Sequence, residues 1–259
     1  MTAIILCGGK GTRIREETEY RPKPMLYIGN RPILWHIMKL YFHFGVSDFV
    51  LCLGYKGHVI KEFFVNYEML TNDFTVQLGT KRKLRYLKNH DEEGWKVTLV
   101  DTGEDTMTGG RVKRVEPCIH DDSFMLTYGD GVGDIDIRKL LAFHKSHGKL
   151  ATMTGVRPPS RFGEMIMQGN QVVEFNEKPQ ATGGLINGGF FVFNRKVFRY
   201  FSGDDSQMLE REPMQQLARD GQLMVYRHQG FWQPMDTLRE YQMLNELWEK
   251  GQAHWKVWK

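Results

Sequence analysis

Thr2-Ala-Ile-Ile-Leu-Cys7-Gly8-Gly9-Lys10-Gly11-Thr12-Arg13 is the stretch that decides how this chain folds. Residues 2–7 form a buried-strand run, and the run stops at Gly8-Gly9. Glycines let the backbone turn sharply and bring N–H groups close to a ligand, which makes a cradle for phosphate oxygens. Thr12 and Arg13 add a hydroxyl and a planar five-donor cation. Two other phosphate-loop patterns fail. A G-x-G-x-x-G fingerprint beginning at Gly9 needs glycine where Ile14 stands, and G-x-x-x-x-G-K-[ST] occurs nowhere. Oxidoreductase and P-loop readings both weaken.

Outward from this loop, β-rich runs alternate with helical patterns. Residues 31–45 read as a helix, with Pro32 in its first turn, Ile33, Leu34, Ile37, Met38, Tyr41 and Phe44 on one stripe, and Gly45 as its stop. A strand at 48–53, a helix over 58–70, strands at 74–78 and 96–101 and a helix over 109–120 follow. Next come a strand at 123–128, a helix over 136–147 and a strand at 150–156. Strands spaced by amphipathic helices imply right-handed βαβ units: an α/β fold with a mostly parallel, mixed central sheet covered by helices on both faces. Ligands of such sheets bind beyond the carboxyl ends of the strands. The second half changes character. Residues 165–168 and 171–175, joined by Gly169-Asn170, read as a hairpin; a strand at 185–193 and helices over 207–220 and 237–250 complete the chain. One domain of 259 residues is expected, in two halves of different character, 1–133 and 134–259, the second ending in the C-terminal helices.

Composition narrows the partners. The 35 Lys and Arg against 31 Asp and Glu give only +4, too balanced for a protein that coats nucleic acid or an anionic membrane. The basic cluster Lys81, Arg82, Lys83, Arg85 and Lys88 reads as a solvated surface segment. The longest apolar runs reach about a quarter of the ~20 residues of a membrane span, and no signal-peptide pattern opens the chain, so a cytoplasmic location is expected. Cys7, Cys52 and Cys118 lie far apart, which argues against metal or disulfide use. The nine histidines show no metal-ligand spacing; His144 and His147 are expected on a wet helix face. Trp248, Trp255 and Trp258 suggest packing into the core or a subunit contact.

Ten residues beyond the glycine loop lies Arg21-Pro22-Lys23-Pro24-Met25, where two prolines stiffen the backbone around a lysine. Leu6 through Arg13 followed by Pro22-Lys23-Pro24 resembles the signature of sugar-nucleotide pyrophosphorylases. Gly129-Asp130-Gly131, Glu177-Lys178-Pro179, Asn187-Gly188-Gly189 and Trp232 through Asp236 continue the resemblance in order. Met107-Thr108-Gly109-Gly110-Arg111 and Gly230 through Thr237 are similar to its cytidine-specific branch. Cys7, Ile14 and Arg21 depart mildly from the pattern, and none removes a charge that the chemistry needs.

The resemblance implies a Rossmann-like nucleotidyltransferase fold and Mg²⁺-dependent transfer of CMP from CTP to glucose 1-phosphate, as a step toward deoxysugars of surface polysaccharide such as O-antigen. It implies Arg13 and Lys23 as catalytic residues. Nucleotide contacts would come from Leu6, Cys7, Gly8, Gly9, Lys10, Gly11, Thr12, Arg13, Lys23, Thr106, Arg111 and Gly129. Tyr128, Gly163, Glu177, Lys178 and Asn187 would meet the sugar phosphate, Asp130 and Asp236 would hold Mg²⁺, and a homo-oligomer is expected. Some residues have a second reading. Asp236 alone reads as a helix N-cap ahead of Thr237, Gly163 and Asn187 also suit turns, and Tyr128 equally fills the sheet. Asp134-Ile135-Asp136 invites a rival reading as a metal-dependent glycosyltransferase, although Asp136 also fits the start of the 136–147 helix. The same reaction with UTP or dTTP, and a non-catalytic nucleotide-binding regulatory module, remain as alternatives.

Overall fold

The computed structural model describes residues 1–79, 83–87, 92, 94–158, 164–168, 171–176 and 184–259, with backbone alone at 13, 15, 16, 164–167 and 174–176. From the N-terminus the chain runs β1 (Thr2–Leu6), α1 (Arg15–Thr18), the ribbon β2 (Tyr27–Ile28) and β3 (Arg31–Pro32), α2 (Ile33–His43) and β4 (Asp48–Leu53). It continues through α3 (Gly57–Val65), α4 (Tyr67–Thr71), β5 (Phe74–Gln77), β6 (Lys83–Tyr86), β7 (Lys96–Asp101), α5 (Thr108–Arg114), β8 (Ser123–Tyr128) and β9 (Gly131–Gly133). Then come α6 (Ile137–His147), β10 (Ala151–Val156), β11 (Glu164–Gln168), β12 (Gln171–Asn176), β13 (Ile186–Asn194), α7 (Glu212–Arg219), β14 (Leu223–Arg227), β15 (Trp232–Pro234) and α8 (Leu238–Glu249).

Among the described residues seven strands form the central sheet, in the order β14-β10-β13-β8-β1-β4-β7. Only β13 runs against its neighbours, β8 and β10. Alternate residues of β1 and β4 feed two apolar layers. Ala3, Ile5, Phe49 and Leu51 face α2, α3 and α6, while Ile4, Leu6, Val50 and Cys52 face α5 and α7. Burial on both faces is why these strands read as continuous apolar runs.

Several boundaries differ from the sequence expectation for identifiable reasons. The strand near 74 does not enter the central sheet; it pairs with β6, with Phe74 opposite Tyr86 and Val76 opposite Leu84. The basic residues of β6 disguised it as a charged surface run. The helix over 58–70 breaks at Asn66 into α3 and α4. The helix over 109–120 ends at Arg114, before Pro117 takes a 3₁₀ turn, and that over 207–220 begins only at Glu212 with Pro213 in its first turn, as proline's missing N–H dictates. Strand β14 is an element beyond those expected; Gly221, at φ +62°, stops α7 just ahead of it. His144 is not wet: it is buried, and its Nδ1 lies 2.9 Å from Thr152 Oγ1. Residues Gly169 and Asn170 fall outside the described residues, but the hairpin strands on either side pair as β11 and β12.

Candidate active site

The carboxyl end of β1 opens into the glycine loop, and β8 ends beside it. The Gly129 N–H donates to Leu6 O at 3.0 Å, and a Cβ at Gly129 would meet Leu6 O at 2.8 Å and Pro24 Cγ at 3.0 Å. Glycine here therefore lets the Pro22-Lys23-Pro24 turn press against the strand end. Pro22 holds extended backbone, and Met25 N–H donates back to Pro22 O at 2.8 Å, closing a 3₁₀ turn at Lys23. Gly11 takes φ +61°, and a Cβ there would strike Thr18 at 2.9 Å.

Lys23 is 8% exposed, and its ammonium lies 2.7 Å from Asp130 Oδ2 and 2.6 Å from Asp236 Oδ1. Residues 130 and 236 become neighbours because β9, just after Asp130, pairs antiparallel with β15, just before Met235 and Asp236, and Met235 N–H donates to Asp130 O at 2.8 Å. Asp236 is not the cap of α8. Thr237 is, in a capping box with Glu240 that also takes the Asp236 N–H at 2.8 Å, which leaves the Asp236 carboxylate to face Lys23. Burial pushes the Lys23 amine down, but the two carboxylates outweigh it and hold the amine above its ordinary value, so Lys23 is charged.

Two carboxylates brought together beside a phosphate-type loop match what Mg²⁺ accepts, one or two carboxylates completed by phosphate oxygens and water, and a cation there would share them with the Lys23 ammonium. Asp130 and Asp236 thus fit a divalent cation. Among the described residues no group of three or more His, Cys, Asp or Glu side chains gathers into a metal cage, so the remaining ligands would be substrate and solvent oxygens.

The structure gives several expected nucleotide contacts other work. Arg111 is buried. Its Nη1 donates to Leu53 O, Thr102 Oγ1 and Gly103 O at 2.9, 2.8 and 2.7 Å, and its Nη2 to Gly8 O and Glu104 O at 3.1 Å each. A Cβ on Gly8 would overlap this guanidinium. Arg111 therefore ties the Gly8 end of the loop to the ends of β4 and β7. Thr106 is buried, and its hydroxyl accepts from Arg114 Nη1 at 3.0 Å. Gly109 and Gly110 admit a crossing segment: a Cβ at either would meet Gln207 O or Asp204 O at 2.8 Å. Lys10 is exposed and pairs with Asp105 at 2.7 Å. Gly9 faces open space, Thr12 is exposed and begins a 3₁₀ turn, and Cys7 is a buried free thiol that burial raises well above its ordinary value.

On the sugar side, Tyr128 and Asn187 meet: Asn187 Nδ2 donates to the Tyr128 hydroxyl at 3.2 Å. Glu210, which no motif announced, accepts from the same hydroxyl at 2.5 Å. The side chain of Arg13, and all of Gly163, Glu177 and Lys178, lie outside the described residues. Asp136 caps α6 by accepting from Lys139 N–H at 3.0 Å, and Asp134 lies 2.9 Å from His228 Nε2.

A sheet of this topology with a glycine loop and a lysine-bridged carboxylate pair at its carboxyl edge is a nucleotidyltransferase, and the chain belongs to the nucleotidyl transferase family, whose model matches residues 2–250. Enzymes of this family generally use a divalent metal. The chain is 52% identical over 259 residues, all of both chains, to the glucose-1-phosphate cytidylyltransferase of Salmonella typhi, and 46% identical over 258 residues, again the full length of both, to a probable glucose-1-phosphate cytidylyltransferase of Bacillus subtilis. In fold it resembles a UDP-glucose pyrophosphorylase solved with UDP-glucose, at TM-score 0.69, 13% identity and 96% and 98% coverage of the two chains. Among the described residues no helix is long and apolar enough to cross a membrane.

Proposed function

We propose that this nucleotidyltransferase joins CTP to α-D-glucose 1-phosphate, releasing pyrophosphate and forming CDP-glucose. The observation that carries the reading is Lys23, charged and held between Asp130 and Asp236 in front of the glycine loop; the two full-length relatives supply the choice of nucleotide and sugar. A sugar phosphate oxygen attacks the α-phosphorus; a P–O bond forms there as the bond to the β-phosphate bridge breaks, and the electron pair leaves with pyrophosphate. A phosphate monoester is mostly dianionic near neutral pH because its second pKa is ~6, so no general base is needed. What catalysis demands is alignment and cancellation of charge.

In this reading Gly8, Gly9, Lys10, Gly11 and Thr12 cradle the triphosphate with Leu6 and Gly129 at its floor, and Arg13 stabilises the departing pyrophosphate. Lys23 bridges the α-phosphate and the sugar phosphate. Tyr128, Gly163, Glu177, Lys178 and Asn187 take the sugar phosphate. Asp130 and Asp236 would hold Mg²⁺, which when bound neutralises phosphate charge. The chain acts as one domain, its first 133 residues serving mainly the nucleotide, in the cytoplasm and as a homo-oligomer, with neither nucleic acid nor membrane as partner, at a step toward surface-polysaccharide deoxysugars.

The deciding experiment offers glucose 1-phosphate with CTP, UTP, ATP, GTP and dTTP in turn and follows pyrophosphate release. CTP should dominate, and preference for another nucleotide overturns the base assignment. CDP-glucose with pyrophosphate should regenerate CTP, which a glycosyltransferase does not do. EDTA should abolish turnover, and full activity in its presence would remove the metal role.

A further inference from the structure

The crossing segment that Gly109 and Gly110 admit carries Glu210 to a place between the nucleotide and sugar sides. Met107 N–H donates to Asp205 O at 2.7 Å and Gly109 N–H to Gln207 O at 2.9 Å, so residues 205–207 lie against the start of α5. Thr108 Oγ1 accepts from Leu209 N–H at 2.9 Å and donates to Glu210 Oε2 at 2.7 Å. The other oxygen, Oε1, accepts from the Tyr128 hydroxyl at 2.5 Å. Both carboxylate oxygens are thus held, one from each side of the site.

The direction of each bond in this chain is fixed. Gly189 N–H donates to Asn187 Oδ1 at 2.8 Å, which turns Asn187 Nδ2 toward Tyr128, where it donates at 3.2 Å. A phenolic hydroxyl offers one proton and two lone pairs. The proton goes to Glu210 and one lone pair to Asn187, so one lone pair is left to meet a ligand. Glu210 can only accept when ionised, so it cannot reverse this polarity.

We propose that Glu210 is a positioning residue for sugar recognition: by holding the Tyr128 proton it makes that oxygen an acceptor, so that Tyr128 reads a hydroxyl donor on the sugar phosphate. The inference rests on the glucose 1-phosphate reading. It concerns a contact that neither the glycine loop nor the lysine turn supplies. Without the carboxylate, the tyrosine proton is free to rotate toward the ligand, and the Tyr128 oxygen no longer faces the sugar hydroxyl as a fixed acceptor.

The test measures both Michaelis constants for wild type, Glu210→Ala, Tyr128→Phe and the double variant, with melting temperatures to establish folding. Glu210→Ala should raise the KM for glucose 1-phosphate about ten-fold while the KM for CTP shifts less than two-fold, and it should add nothing in the Tyr128→Phe background. Deoxyfluoro analogues of glucose 1-phosphate keep an acceptor but lose a donor; at one ring position fluorine should penalise wild type and leave Glu210→Ala unaffected. Equal rises in both constants, or a Glu210→Ala penalty that persists without the tyrosine hydroxyl, mean a structural role and overturn the inference. A wild type that ignores glucose 1-phosphate overturns the proposed function and this inference together; an active wild type with additive variants overturns this inference alone.

Discussion

Lys23 was marked in the sequence by the prolines on either side of it, and the structure adds why the stiffness matters. The turn delivers an ammonium within 2.7 Å of two carboxylates that lie 106 positions apart. Substituting Lys23→Ala removes the cation while the Pro22 and Pro24 backbone and the β9–β15 ribbon remain. Its kcat should fall by ~10²–10³, in the range of other lost electrostatic stabilisers, with an unchanged far-UV circular dichroism spectrum. A kcat near wild type would refute the assignment. Arg111 teaches the opposite lesson. The resemblance implies it as a nucleotide contact, but five hydrogen bonds to backbone and Thr102 use its planar fork as a clamp. Nothing in a single sequence separates those two uses of an arginine, because both need the same five donors. Lysine, with three donors and no plane, cannot replace it. Arg111→Lys should therefore cost about 2 kcal/mol in urea unfolding, the scale of lost hydrogen bonds to a charged group, and also weaken nucleotide binding as the loop at Gly8 loosens.

At the scale of elements, the alternation of strands and helices was legible because two-sided burial writes itself as apolar runs, and β1, β4, β8, β10 and β13 appear within a residue or two of their expected places. What stayed hidden depends on contacts distant in sequence. The three-residue strands β9 and β15 carry no periodicity, yet their pairing assembles Asp130 with Asp236. The segment before α7 looked helical until Pro213 and the crossing over α5 are taken together. That crossing is sensitive to one methyl group. A Cβ at Gly110 would lie 2.8 Å from both Asp204 O and Thr106 Cγ2, so backbone must move. Gly110→Ala should destabilise the protein by ~1–3 kcal/mol, as overpacking does, and should also raise the KM for glucose 1-phosphate because Glu210 rides on the same segment. Gly148→Ala is the contrast: its φ of +66° is strained for alanine, but it lies in open space, so it should lower the melting temperature without touching that KM.

Across the whole molecule, the C-terminus is tied to the first half through His36, a residue that no motif singled out. Its ring is fully buried among Trp35, Trp248, Trp255 and Trp258. His36 Nε2 lies 3.0 Å from Ile28 O, and Trp255 Nε1–H donates to His36 Nδ1 at 3.3 Å. A carbonyl demands a donor and an indole N–H demands an acceptor, so only the neutral tautomer protonated at Nε2 satisfies both. Burial accordingly pushes His36 down to about 4, and burial does the same to His144, also to about 4. The sign follows from linkage. Between the ordinary value of 6.5 and about 4, the unfolded chain binds these two protons and the folded chain does not, so lowering the pH through that window favours unfolding. Each histidine should steepen the loss by up to ~1.4 kcal/mol per pH unit. The carboxylates held low, Asp105 and Asp204, lose their contribution only as pH falls past the usual 3.8, which leaves the 4–6.5 window to the histidines. Urea midpoints read by tryptophan fluorescence should hold level from pH 8 to 7 and then drop steadily toward pH 4. In His36→Gln, whose side-chain amide can donate to Ile28 and does not titrate, the drop should become shallower, the remainder coming from His144 and His147, even if the midpoint at pH 7 is lower. An unchanged slope would mean that the tryptophan-lined histidine is not the group through which acid loosens the C-terminal anchor.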